Sequence, residues 1–266
     1  MAVVEIDEGD SPLILGFPHT GTEVPADIAA RLNDVGQQLA DTDWHIHELY
    51  NGLVPGVTRV RATFHRYVID ANRDPSGTSL YPGQNTTGLI PETDFDNQPL
   101  WRDGQGPTAV DIADRLARFH APYHAALAAQ IARVKARHGV AILYDCHSIR
   151  SRIPFLFDGK LPDFNIGTDS GRTCDARLEA AAVAVTSQAP GYSTVLNGRF
   201  KGGWTTRHYG TPDRQVHAIQ MELTQSSYLA TETAPFAYDS TKAAKLRPIL
   251  ADLLQRLVHL APRLPR

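Results

Sequence analysis

The chain has 266 residues, 42% of them hydrophobic, and a formal net charge of −3. That is enough chain and apolar content for one large domain or two small ones with a sizeable core. The near-neutral balance lacks the basic surplus that neutralises phosphates, which excludes nucleic acid as the expected partner and favours a small molecule. No apolar stretch approaches the length that spans a bilayer, and the N-terminus, MAVVEIDEGD, is acidic where a secretory signal is basic and then apolar, so a cytoplasmic protein with no membrane partner is expected. The two cysteines, Cys146 and Cys174, form neither a metal-type pair nor a disulfide framework. A metal, if present, must be held by histidines and carboxylates.

In chain order, LILGF (13–17) reads as a strand and runs into FPHTGTEVP, which sets His19 between Pro18 and a Gly-containing turn with Glu23 four residues on. His19 is a ligand, a catalyst or a turn residue on this stretch alone. In DTDWHIHELYNGL (41–53), Ile46, Leu49, Tyr50 and Leu53 have the spacing of a helix with one buried stripe. Extending the stripe back by three points Asp43 inward, where a carboxylate needs a partner such as a metal ion, while Asp41 suits an N-cap. His45 and His47, two apart on a helix, do not face each other and are read as non-ligands. RYVID (66–70) reads as a second strand, running into DANRDP. Residues 74–107, rich in Pro, Gly, Asn and Thr, are long for a mere connection and are expected to be functional. A helix is predicted from Thr108 to His138, broken near Pro122 and closed by Gly139.

VAILYDC (140–146) reads as a third strand, on which alternation puts Asp145 and His147 on one face and Cys146 on the other. A Cys146–His147 nucleophile pair is therefore disfavoured, and His147 is either a zinc ligand with Asp145 behind it or a hydrogen-bonded histidine near the sheet edge. NGRFKGGWTTRHYG (197–210) is Gly-rich, cationic and aromatic but has no phosphate-loop spacing, so Arg199, Lys201 and Arg207 read as carboxylate binders or a solvated basic surface. In AIQMEL (218–223) and the Thr224 that follows, Ile219, Met221 and Leu223 share one face and Gln220, Glu222 and Thr224 the other. Glu222 stands where partial burial can tune a general base, a structural ion pair being the alternative. A last helix is expected from Ser240 to Leu260.

Strands alternating with helices predict an α/β single domain: a mixed, mostly parallel-core sheet flanked by helices. Each of the four strands ends in a polar cluster, FPHTG, DANRDP, DCHSIR and ELTQSS. In open α/β sheets ligands bind beyond the carboxyl ends of the strands, so the four clusters converge on one site if the strands are parallel and adjacent.

The combination FPHTGTEVP, DTDWHIHELY, HRYVIDANRDPSGTSLYPG, YDCHS, NGRFKGGWTTRHYG and AIQMELTQSSY resembles the N-formylglutamate amidohydrolases (N-formylglutamate deformylases) of histidine degradation, over nearly the whole chain. It is more distantly similar to the zinc carboxypeptidases, succinylglutamate desuccinylase and aspartoacylase. The resemblance implies one catalytic domain over residues 1–266 with a zinc-carboxypeptidase-like (phosphorylase/hydrolase-like) fold. It implies one Zn2+ ion on His19, Asp43 and His147, with Glu222 as general base and Arg66 stabilising the oxyanion. Asn72 with Arg73, and Arg199 or Arg207, would bind the carboxylates of a small anionic N-acyl amino acid. The distant relatives carry their acidic ligand as H-x-x-E, where this chain has Thr22, and Glu23 lies one residue too far. The nearer family is similar to this chain in having an aspartate at Asp43, which the helical spacing also points inward, so Asp43 is the expected carboxylate, with Glu23 and Asp41 as alternatives. The expected reaction is hydrolysis of N-formyl-L-glutamate to formate and L-glutamate. The alternatives are a related zinc amidase acting on N-succinyl or N-acetyl amino acids, or a carboxylate-binding protein without catalysis.

Overall fold

The computed structural model describes residues 2–79 and 83–265. Its elements run β1 (Val4–Asp7), β2 (Leu13–Phe17), α1 (Ala26–Ala29), α2 (Ile46–Leu49), β3 (Thr58–Ala62), α3 (Ala109–Arg115), α4 (Ala121–His138), β4 (Ala141–Ile149), β5 (Phe164–Gly167), α5 (Ala176–Ser187), β6 (Thr194–Leu196), α6 (Trp204–Tyr209), β7 (Val216–Thr224) and α7 (Ser240–Leu260). The strands form one sheet in the order β1-β3-β2-β4-β7-β5-β6. Neighbours from β3 through β2 and β4 to β7 are parallel, as are β5 and β6, while β1–β3 and β5–β7 are antiparallel. The sheet is thus the mixed α/β sheet with a parallel centre that the alternation of elements predicts.

The central strands β2, β4 and β7 are buried along their whole length, so β2 and the start of β4 read as continuous apolar runs, while towards their carboxyl ends β4 and β7 alternate polar with apolar residues. The register Leu15–Tyr144–Ile219 aligns their side chains across the sheet. On one face Leu13, Phe17, Tyr144, Cys146, Ile219 and Met221 pack against α5 and α7; on the other Ile14, Val60, Leu143 and Ala218 meet Tyr123, Leu127 and Val134 of α4. Helix α7 starts on the Asp239 side chain, which accepts from the amides of Thr241 and Lys242. It then buries Leu246, Leu250, Leu253, Leu254 and Leu257, its limits matching those expected. Truncating one of these leucines to Ala would cost roughly 2–5 kcal/mol.

The long helical stretch is capped by Thr108 and Asp111 in a reciprocal box and ends at Gly139 with φ 77°, where its amide bonds Lys135 O at 2.8 Å. Its break near Pro122 takes the form of a wide π turn over Leu116–His120, immediately upstream of the proline.

Two sequence expectations fail locally. RYVID (66–70) is a buried turn, held by Val68 N to His65 O at 2.9 Å and Asp70 N to Leu89 O at 2.8 Å; the strand is the upstream β3. Its apolar character comes from enclosure on all sides, which periodicity cannot tell from a strand. The helix expected over 41–53 shrinks to α2, because His45 adopts a left-handed conformation (φ 56°) that ends it upstream. Asp41 therefore caps nothing; it is buried and accepts from Phe95 N at 3.0 Å. Residues 74–107 contain no regular element among the described residues, and 80–82 lie outside them.

Candidate metal centre and active site

At the carboxyl ends of β2, β4 and β7 the side chains of His19, Asp43 and His147 come together, all buried, with one ligand atom of each within 4.8 Å of the others. His19 leaves β2 in the turn after Pro18. Asp43 is drawn to it by its own amide, which donates to His19 O at 3.0 Å. The Nδ1 atoms of His147 and His19 lie 3.2 and 3.9 Å from Asp43 Oδ2, which also accepts from Ser148 N at 3.1 Å. Asp43 thus points inward as expected, but from a turn and not from a helix face.

Each imidazole is gripped from behind. His19 Nε2 lies 2.7 Å from Asp70 Oδ1, and His147 Nε2 3.0 Å from Asp145 Oδ2. A carboxylate on the far nitrogen fixes which nitrogen keeps its proton and leaves Nδ1 of both rings directed at one point, the arrangement metal-binding histidines have. Two imidazole nitrogens and a carboxylate oxygen in a buried pocket are a donor set suited to zinc. The charges around the two rings differ. Burial, then Arg66, holds His19 below its ordinary value against the pull of Asp70 and Asp43. For His147 burial works the same way, but Asp145 and Asp43 outweigh it and raise the ring well above its ordinary value.

Glu222 stands beside His147 on the neighbouring strand, in register with it. Burial pushes its carboxyl up to about 8, with His147 drawing it down and Asp43 pushing it further. Cys146 points into the opposite core, and burial pushes its thiol well up, so it takes no part here.

These groups open into a cavity that Gln220, Ser148 and Phe95 also line. Its lining carries Arg66, Asn72, Arg73 and Arg199 as well. Arg66 is buried over the Phe95 ring and paired to Asp70 Oδ2 at 2.6 Å, with its Nη1 3.9 Å from Asp43 Oδ1. Asp70 is thereby the hinge of this wall: burial opposes its ionisation, yet Arg66, Arg73 and His19 hold its carboxyl well below the usual range. Asn72 accepts from Thr205 N at 2.8 Å and sets its Nδ2 3.2 Å from His147 Nε2. Arg73 binds Thr87 O at 3.0 Å, and Arg199 ties Leu156 O and Asn85 O together across the mouth at 3.0 and 2.8 Å.

Eight of the nine site residues expected from sequence line this cavity, and Arg207 does not. The fault lies in reading 197–210 as one loop: its second half is α6, whose buried residues Thr205 and Thr206 face the site. Arg207 turns back to Gly202 O at 2.9 Å and to Asp169 at 3.4 Å. Glu23 is exposed, and its backbone bridges to Phe64. His45 and His47 pair with Glu48 at 2.9 Å and Thr20 at 2.6 Å, outside the cluster. Asp70 and Gln220 escaped the sequence reading, although alternation had already set Gln220 on the face of Glu222.

A family model described as N-formylglutamate amidohydrolase matches residues 11–229. The chain is 46% identical to an N-formylglutamate deformylase of Pseudomonas aeruginosa over 96% of both chains. The chain belongs to the N-formylglutamate amidohydrolase family. A deformylase of Pseudomonas putida is 44% identical over the same share of each chain. The crystal structure of an N-formylglutamate amidohydrolase from Ralstonia eutropha superposes with a TM-score of 0.80 at 26% identity, covering 99% of each chain. The family model spans β2 to the end of the β7 segment, and so takes in every residue of the cavity described above.

Proposed function

We propose that the chain is a single catalytic domain that hydrolyses N-formyl-L-glutamate to formate and L-glutamate, the last step of a histidine degradation route. The observation that carries this reading is the convergence of His19, Asp43 and His147 beside Glu222, in a cavity lined by arginines, in a chain whose relatives are named for that reaction. His19, Asp43 and His147 would hold one Zn2+ ion, which supplies Lewis acidity and brings the pKa of water toward neutrality when bound. Glu222, pushed up to about 8 by burial, would be drawn back toward the ionised form a base needs by a cation held on those three residues.

Glu222 then takes the proton of the attacking water and passes it to the leaving amine. Arg66, fixed by Asp70 in a buried setting, faces the oxygen on which charge develops, where a preorganised cation is most effective. The substrate is a dianion, and guanidinium groups bind carboxylates with two parallel bonds. Arg73 with Asn72 forms one clamp and Arg199 the second. The two cysteines, free and buried, suit a reducing compartment such as the cytoplasm. No helix of the described residues is long and apolar enough to cross a membrane.

The test is formate release from N-formyl-L-glutamate beside the N-acetyl and N-succinyl analogues, with metal analysis of protein purified without added metal. We expect near-stoichiometric zinc lost in His19→Ala and Asp43→Ala, and a formyl preference. In Glu222→Gln, kcat should fall by roughly 10²–10⁴-fold with zinc retained. Preference for the succinyl compound would overturn the substrate; binding without turnover, indifferent to Glu222→Gln, would make the protein a carboxylate binder.

A further inference from the structure

One buried side chain in the cavity has no part in the scheme above. Gln220 lies two residues before Glu222 on β7, so both side chains project from the same face of the strand. Its Oε1 accepts from Gly203 N at 2.6 Å, and its Nε2 lies 3.2 Å from Glu222 Oε2. The orientation of the amide is settled by chemistry: a backbone N–H can only donate, so it must face the oxygen, and the NH2 group is left for the carboxylate. The loop that supplies Gly203 is pressed against the sheet. A Cβ on Gly167 would stand 2.5 Å from Gly202 N, and one on Gly203 would stand 2.3 Å from Asn72 Nδ2. Glycine at both positions is therefore what permits this approach. Two residues on, Thr205 N holds Asn72. The loop start of α6 thus grips Gln220 and Asn72, the neighbours of Glu222 and His147.

We propose that Gln220 is a positioning residue for Glu222. Anchored by Gly203, it offers one N–H to Glu222 Oε2 and so fixes the plane of the carboxylate, leaving Oε1 to handle the proton. An amide serves here where a cation would not, because it orients the carboxylate without a charge that would weaken it as a base. The proposal rests on the reading of Glu222 as the base.

Two variants separate its two bonds. Gln220→Met removes both at similar volume, whereas Gln220→Glu keeps an acceptor for Gly203 and replaces the neutral N–H donor with a second carboxyl beside Glu222. In zinc-loaded protein both should lower kcat by roughly 10–100-fold, the range for lost outer-shell partners, with KM changed less than about threefold and zinc content unchanged. In a Glu222→Gln background, Gln220→Met should cost nothing more, because the group it positions is gone. Gln220→Met within about threefold of the parent would overturn the proposal, since neither bond would then be needed to position Glu222. Equal losses with and without Glu222 would overturn it too, and so would a failure of both variants to fold, which would make Gln220 a structural residue. If the parent protein hydrolyses no N-acyl amino acid, it is the proposed function that fails; a parent that works with indifferent Gln220 variants refutes only this inference.

Discussion

The two sides of the cavity hold their side chains by different means. His147, Asp145, Gln220 and Glu222 stand on β4 and β7, adjacent central strands paired along nine residues each, so their spacing is that of the pleat. His19, Asp43, Arg66, Asp70 and Asn72 stand on turns, and what orders them is a web of charge: Asp70 alone reaches His19, Arg66 and Arg73 and accepts from Asn72 N at 2.8 Å. A sheet distributes the work of positioning over many equivalent backbone bonds, whereas a charge web concentrates it on one buried carboxylate. The turn side should therefore be the fragile one.

Equivalent substitutions behind the two histidines give the sharpest break. Asp70→Asn and Asp145→Asn each remove the carboxylate behind one imidazole, and each should weaken zinc binding by about 10–100-fold. Asp145→Asn should stop there. Asp70→Asn also strands the buried guanidinium of Arg66, so its kcat should fall further at saturating zinc, and its melting temperature should drop the more of the two. Zinc titration with kinetics and thermal melts checks this; equal damage from the two variants would refute the contrast.

That contrast also governs what could be read in advance. On the strand side the alternation of DCHS and AIQMEL put Asp145, His147 and Glu222 on the correct face, because a period of two survives wherever a strand is regular. Gln220 carries the same signal, on the same face as Glu222. On the turn side Asp43 was reached by a helical argument that the left-handed His45 invalidates. Its inward direction holds because the Asp43 amide is clipped to His19 O, a contact between residues 24 apart in the chain that no local pattern encodes. Asp70 lay hidden inside a run mistaken for a strand. Family motifs located the residues there, but not the bonds that make Asp70 central.

A smaller effect tests the arginines. Arg199 lines the cavity, while Arg207, ten residues from the Asn197 that begins the same motif, faces Asp169. Arg199→Ala should raise KM for N-formyl-L-glutamate by roughly 10-fold or more, since a hydrogen bond to a charged group is worth about 1.5–3 kcal/mol. Arg207→Ala should stay within about threefold. The reverse ranking would put Arg207 on the substrate after all.

The smallest expected effect lies behind the turn side, where His120 and His124 of the long helix bond the carbonyls of Arg73 and Ala71 at 3.1 and 2.8 Å, bracketing Asn72. Burial, aided by His120, lowers His124 to about 3, and burial lowers His120 as well. Between about 3 and the ordinary value of 6.5 the unfolded chain therefore binds a proton at His124 that the folded one does not. Stability is then complete above that window and is lost as pH falls through it, at up to about 1.4 kcal/mol per pH unit for one such group. His124→Gln, which keeps an N–H donor for Ala71 O and cannot titrate, should flatten that slope in denaturant melts run from pH 7 to pH 4. Amide exchange should show the 71–73 segment opening early on acidification, because its carbonyls are held by His120 and His124, both lowered by burial. A slope unchanged in His124→Gln would place the acid sensitivity elsewhere, with half-buried His47, lowered to about 4 by burial, the next group to replace.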